Sequence, residues 1–188
     1  MSLEILNSAA AMGTFIVIGA TAIAAVVQLR HLRASNQLQG LLTVLARVED
    51  ANFNRWVTAA RRIIAERLPD PAYRKAIVDG TFETMDNPWL NLANSYEWVG
   101  SLVRQGLISE AAFMDVYSST VIRAWQIVEE VTALRRREKG PAIWENFEYI
   151  YVRARQFEAR YPDGLYPKTV QRAEINDKWL AADAVQTA

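Results

Sequence analysis

The chain contains no cysteine and a single histidine, His31, in 188 residues. The first absence excludes disulfides, zinc–thiolate sites and cysteine-ligated iron–sulfur clusters, and it allows a reducing compartment. The second excludes multi-histidine metal sites and bis-histidine haem ligation within one chain. An excess of either charge is also missing, since 21 Lys and Arg are balanced by 21 Asp and Glu. Domains built to bind nucleic acid usually carry a marked basic excess, so no nucleic-acid partner is expected. No Walker loop, GxGxxG, GxSxG or acidic calcium loop occurs. Catalytic residues, cofactors and metal ligands are therefore all assigned as none, which leaves an enzyme without a basis rather than excluded.

What the chain does have is a long run without charge. No Asp, Glu, Lys or Arg lies between Glu4 and Arg30, and the stretch Asn7–Leu29 reads NSAAAMGTFIVIGATAIAAVVQL. A helix of roughly 20 apolar residues crosses a bilayer, and a helix is the single-segment solution because hydrocarbon offers the backbone no hydrogen-bonding partner. The expectation is a transmembrane helix over 7–29, preceded by a short segment 1–6 and followed by a helical domain over 30–161 and a tail over 162–188. A cleaved signal peptide would carry a positive region before the apolar run, and this chain opens MSLEILN. A buried helix of a soluble protein is usually shorter and shows a polar side. Arg30, His31 and Arg33 cluster just after the run with no Lys or Arg before it, which predicts the amino terminus outside and the domain in the cytoplasm, at a bacterial inner membrane. The same three residues are candidate contacts for lipid headgroups. Ala9 with Gly13, and Ala20 with Ala24, have the four-residue spacing that lets two membrane helices approach.

Beyond the membrane the apolar positions recur every three or four residues, and no alternating strand pattern of useful length appears. The fold class is all-α, with about five helices after the anchor. The first should span Ser35–Leu68 and continue the anchor unless Gly40 or the Ser35-Asn36 pair breaks it, and its apolar stripe should pack on its own domain because Asn52 disturbs the heptad register. A short helix follows, capped by Asp70, opened by Pro71 and stopped by Gly80. The next runs from about Pro88 to Gln105, capped by Asn87, with Trp89, Leu92, Ala93, Tyr96, Val99 and Val103 inward. A fourth, from Ser109 to about Lys139, carries two apolar rows, one through Phe113, Val116 and Val131, the other through Val121, Trp125 and Val128, and should be central. A fifth covers Pro141–Tyr161, and Thr169–Ala182 is expected to hold one more short, weakly amphipathic helix.

Few of the polar residues stand out. Glu145 and Glu148 have the spacing of helix carboxylates in di-metal centres, but the Glu-x-x-His partners such centres use are missing, so pairing with Arg or solvent is expected. The basic end Arg135, Arg136, Arg137 and Lys139 suits the carboxyl-terminal dipole of its helix. The six tryptophans mostly fall on core stripes. Glu97 sits between Tyr96 and Trp98 beside the inward stripe, and a partly buried carboxylate needs a partner. The expectation is a structural ion pair with Arg123 or Arg135 on the following helix.

With YEWVGSLVRQGLIS at Tyr96–Ser109, the long helix carrying Trp125 and ending RRREKG, and WENFEYIYVRA at Trp144–Ala154, the chain resembles a bacterial family known as a domain of unknown function. The resemblance spans roughly Phe15 to Phe157. It implies a single membrane helix followed by a cytoplasmic helical domain, with Glu97 and the basic residues of the fourth helix in the shared pattern, and it implies no activity. The functional expectation is a membrane-anchored interaction or accessory protein that recruits or stabilises a protein partner or a second copy. The alternative is a membrane-tethered enzyme or a headgroup-binding protein.

Overall fold

Helix follows the apolar periodicity through almost the whole chain. A computed structural model describes residues 3–48, 51–83 and 87–179, and among these it contains six helices and no strand. Helix α1, Leu3–Val48, is 46 residues long, which at 1.5 Å per residue is about 70 Å. It holds no proline, and its apolar part lies bare on all sides: Phe15, Ile16, Ile18 and Ile23 are each more than 60 % exposed. The 35 residues Ala10–Val44 make it the one described helix long and apolar enough to cross a membrane.

The helix expected over Ser35–Leu68 is present on both sides of residues 49–50, which lie outside the described residues: its first part continues the apolar helix to Val48, and α2 covers Ala51–Arg67. Gly40 does not break α1, because one glycine costs a helix only about 1 kcal/mol and its missing side chain is used. A Cβ there would lie 3.1 Å from Ile108 Cγ1 and 3.2 Å from the Leu107 carbonyl oxygen. Gln37 donates to the Gly106 carbonyl at 3.2 Å, and Val44 is fully buried. These contacts seat the end of α1 on the loop over residues 105–109.

Helix α3, Pro71–Asp79, has the expected ends: Asp70 accepts from the Ala72 amide at 2.9 Å, and Gly80 takes the left-handed conformation at φ 76°. Helix α4, Pro88–Arg104, buries all six of the residues assigned to its inward face. Asn87, however, does not cap α4 with its side chain. That side chain is 1 % exposed and accepts instead from Tyr73 Oη and, at 3.0 Å, from Trp89 Nε1. This buried amide serves three polar groups at once, the phenol, the indole and, through its own Nδ2, the Glu83 carbonyl oxygen, which outweighs one capping bond. Helix α5, Glu110–Lys139, is capped by Ser109, and α6 is Glu145–Arg160. Residues 141–144, assigned to the fifth bundle helix from the sequence, form a turn. Between Tyr161 and Trp179 the chain runs as turns and extended segments, so the described part of Thr169–Ala182 is not helical; residues 180–182 lie outside the described residues.

Helices α4, α5 and α6 pack on one another, α2 packs chiefly on α4, and α3 on α5. Helix α5 is the central element, with twelve buried residues. Val116 is the exception in its expected inner rows, at 56 % exposed. The aromatic core is continuous: Tyr96 stacks on Phe147 at 4.7 Å between ring centres, Trp125 meets Phe147 edge-on at 5.1 Å, and Trp89 meets Trp144 at 6.2 Å. Trp89, Tyr96 and Phe147 are at most 2 % exposed. Burying such a side chain stabilises the fold by about 1.5–3 kcal/mol.

Candidate functional site

Glu97 is the most fully engaged carboxylate of the domain. Its Oε2 accepts from the backbone amides of Asn146 and Phe147, each at 3.0 Å, and its Oε1 from Asn146 Nδ2 at 2.5 Å. Asn146 and Phe147 are the second and third residues of α6, whose first amides have no partner within their own helix. Trp144, at the N-cap of α6, has no oxygen to offer and adopts φ 53°, ψ 40°. Glu97 therefore caps α6 from α4, and its charge sits at the positive end of the α6 dipole.

The expected ion pair of Glu97 with Arg123 or Arg135 is thus replaced by a helix cap. Arg123 bonds the Ser119 carbonyl oxygen at 3.2 Å on its own helix. Arg135 lies 5.1 Å from the centre of the Phe82 ring and reaches the Ile77 carbonyl oxygen at 3.5 Å, bracing α3. The physical reason is that two amides and a carboxamide already converge on Glu97, so the half-buried carboxylate is satisfied without a cation.

The face of α4 around Glu97 is built for this junction. Asn94 accepts from Trp144 Nε1 at 2.9 Å, and Arg104 meets Glu145 at 3.4 Å. Between them Gly100 leaves the room that the close approach of α6 requires, since a Cβ there would lie 2.2 Å from the Asn146 carbonyl oxygen. Arg136 holds the preceding turn by donating Nε and Nη2 to the Ile143 carbonyl oxygen at 2.9 and 2.8 Å, and pairs with Glu148 at 2.9 Å. The basic end of α5 therefore has specific bonds beyond the dipole. The sequence signal for the junction is the spacing of Asn94, Glu97, Gly100 and Arg104 along one side of α4, a side marked by polar and small residues and missed by a search for apolar stripes.

A second polar junction ties the start of α5 to the middle of α6. Glu110 accepts from Tyr149 Oη at 2.7 Å and from Arg153 Nε at 2.7 Å, and the Arg153 Nη2 joins them. Burial pushes the Glu110 carboxyl up, but the bonds from Arg153 and Tyr149 outweigh it and hold the group below its ordinary value. The Glu110 carboxylate in turn raises the Tyr149 hydroxyl.

Arg30, His31 and Arg33 are exposed on α1 and are not brought to the bundle. Ten residues, about 15 Å of helix, separate Arg30 from Gly40. The contacts of α1 then fix which end of the bundle faces the apolar helix. Gly40 meets Leu107 and Ile108, whereas Phe53, farther along the chain, meets Tyr96 in mid-α4 at 5.7 Å. The chain thus passes from the 106–108 loop toward the opposite end of the bundle, and the apolar span extends beyond the loop. Among the described residues no group of three His, Asp or Glu side chains gathers as metal ligands.

An open groove lies between α2 and α5, with a volume of about 830 Å³ and arginines on both banks. Nothing in the sequence periodicity marked it, because a groove depends on how far two helices stand apart. Neither a curated protein nor a solved structure matches the chain. A family model does match residues 15–154, from within the apolar helix to within α6, so the junction around Glu97 and the seat of α1 both fall inside the shared region, and the chain belongs to the family DUF4760, a domain of unknown function.

Proposed function

We propose that the protein is a single-pass membrane anchor carrying a cytoplasmic helical module that recruits or stabilises a protein partner. The observation that carries the reading is α1, whose bare apolar stretch continues without a break into the turns that dock at Gly40 and Val44. One rigid rod then links bilayer and bundle. Among the described residues nothing apolar covers it, and bare hydrocarbon of this extent demands lipid or protein around it.

In this reading Asn7–Leu29 occupies the hydrocarbon, Arg30, His31 and Arg33 lie at headgroup level on the cytoplasmic side, and the bundle stands about 15 Å above them. The host membrane is the bacterial inner membrane. The domain's polar residues are spent on joining helices, as Glu97, Glu110 and Arg136 show, which favours a presenting module over a catalyst. Crosslinking in intact membranes, followed by purification in mild detergent, tests the partner. A companion chain or a second copy is expected in stoichiometric amount. A strictly monomeric protein without companions contradicts the reading.

A further inference from the structure

We infer that the groove between α2 and α5 receives an acidic amphipathic helix of the partner protein. The inference rests on the reading of the domain as an interaction module and names the site and the chemistry of what it binds. Four guanidinium groups border the groove: Arg61 from α2, Arg74 from α3, and Arg123 and Arg137 from α5, with Glu130 the only acid among them. The chain as a whole has formal net charge zero, so this is a local concentration of positive charge.

Among the described residues, Arg104, Arg136 and Arg153 sit in ion pairs with glutamates, whereas none of the four groove arginines has a carboxylate within 4 Å. Arg74 spends its bonds on the Leu68 and Pro69 carbonyl oxygens and Arg123 on Ser119. Arg61 on α2 and Arg137 on α5 both line the groove from exposed positions. An arrangement of this kind complements carboxylates, which guanidinium groups bind through paired hydrogen bonds.

The floor is apolar. Ile64 on α2 and Leu68, just past the end of α2, lie four residues apart, and Ile127 and Leu134 on α5 are two turns apart, so both walls carry apolar side chains. Helix α2 leans mainly on α4 and only lightly on α5, which leaves the seam open. From Arg123 to Arg137 the groove follows 14 residues of α5, about 21 Å, the length of a four-turn helix. A long, open trough with an apolar floor and charged banks fits the helix-in-groove mode, in which leucine-type anchors enter the floor and flanking acids meet the rims.

A lipid headgroup fits less well. Arg123 lies 13 residues, about 20 Å, along α5 from Glu110, which is at the end of the bundle facing the apolar helix. The groove therefore stands away from the bilayer surface.

The test uses the full chain in lipid nanodiscs and a fluorescent peptide of about 16 residues, with leucines on one helical face and glutamates on the other. A second peptide replaces every glutamate with lysine, and dodecyl phosphate serves as a small amphipathic anion. The glutamate peptide should bind at least about ten-fold more tightly than the lysine peptide, with the margin shrinking as salt rises. In the double variant Arg61→Glu, Arg137→Glu the preference should vanish or invert while thermal unfolding stays unchanged, because both side chains are exposed. Equal binding of the two peptides, no binding of either, or an unaltered preference in the double variant overturns the inference. Full displacement of the glutamate peptide by dodecyl phosphate also overturns it and makes the groove a small-amphiphile site. If the double variant still co-purifies with a companion chain, the module reading stands and the groove is not its site.

Discussion

Glu97 supplies from α4 the acceptor that no side chain at the start of α6 supplies, and this borrowed cap is where the domain is most sensitive to single changes. Glu97→Ala removes the acceptor of two amides and should lower stability by about 2 kcal/mol, in line with lost caps and stranded buried donors. Glu97→Gln keeps one acceptor oxygen and should cost about half as much. Thermal unfolding of the full chain in detergent measures both, and a double-mutant cycle separates cap from ion pair. Coupling is expected between Glu97 and Asn146 and not between Glu97 and Arg123. Gly100→Ala, one turn on, gains helix propensity but places a methyl group against the Asn146 carbonyl oxygen, and it should destabilise by about 2 kcal/mol through forced separation of α4 and α6. The neighbouring Tyr96 behaves differently. Its hydroxyl is buried without a hydrogen-bond partner among the described residues, so Tyr96→Phe should leave stability within about 0.5 kcal/mol or raise it. The sequence pointed to Glu97 as a carboxylate in need of a partner and misplaced that partner. The first amides of α6 carry no side-chain signature, so donors on the backbone were invisible where arginines were conspicuous.

At the level of the elements, the apolar stripes of α4 and α5 and the caps at Asp70, Gly80 and Ser109 were legible because helical periodicity and end signals are local chemistry. The failures have a common cause in tertiary contact. Whether Gly40 would break the helix was open in the sequence, and it is a contact surface for Ile108; Asn87 looked like a cap and is a buried hub for Tyr73 and Trp89. The start of α6 moved from Pro141 to Glu145 because Arg136 and Asn94 hold the intervening turn. The link between α5 and α6 through Glu110 adds a pH dependence. Its carboxyl is held below the ordinary value of 4.5, so the stabilisation is present above that value and is lost as pH falls through the lower folded value. The side chain is 30 % exposed, so the effect is small, about 0.2–1 kcal/mol. Glu110→Gln should flatten that part of the acid unfolding profile recorded by circular dichroism. An unchanged profile would show that the Arg153 pair contributes nothing.

For the whole molecule, the bundle is a rigid body joined to a long apolar rod at one end, with an arginine-bordered groove removed from that end. The all-α class and the N-terminal apolar helix could be read from composition and length, whereas the groove and the direction of the bundle on α1 could not, since both depend on which helices touch. An arginine placed in the rod tests its role. Ile18→Arg puts a charge at the middle of the apolar span at a cost of about 2.5–3.5 kcal/mol on insertion scales, and the carbonate-resistant membrane fraction should fall accordingly. The absence of cysteine makes the topology directly measurable, because any introduced thiol is the only one. Ser2→Cys and Gln156→Cys, each in the full chain, are exposed to a membrane-impermeant maleimide on sealed right-side-out membrane vesicles and again after lysis. A single-pass anchor with its helical module inside predicts labelling of Ser2→Cys before lysis and of Gln156→Cys only after it. The reverse pattern, or equal labelling of both before lysis, contradicts it.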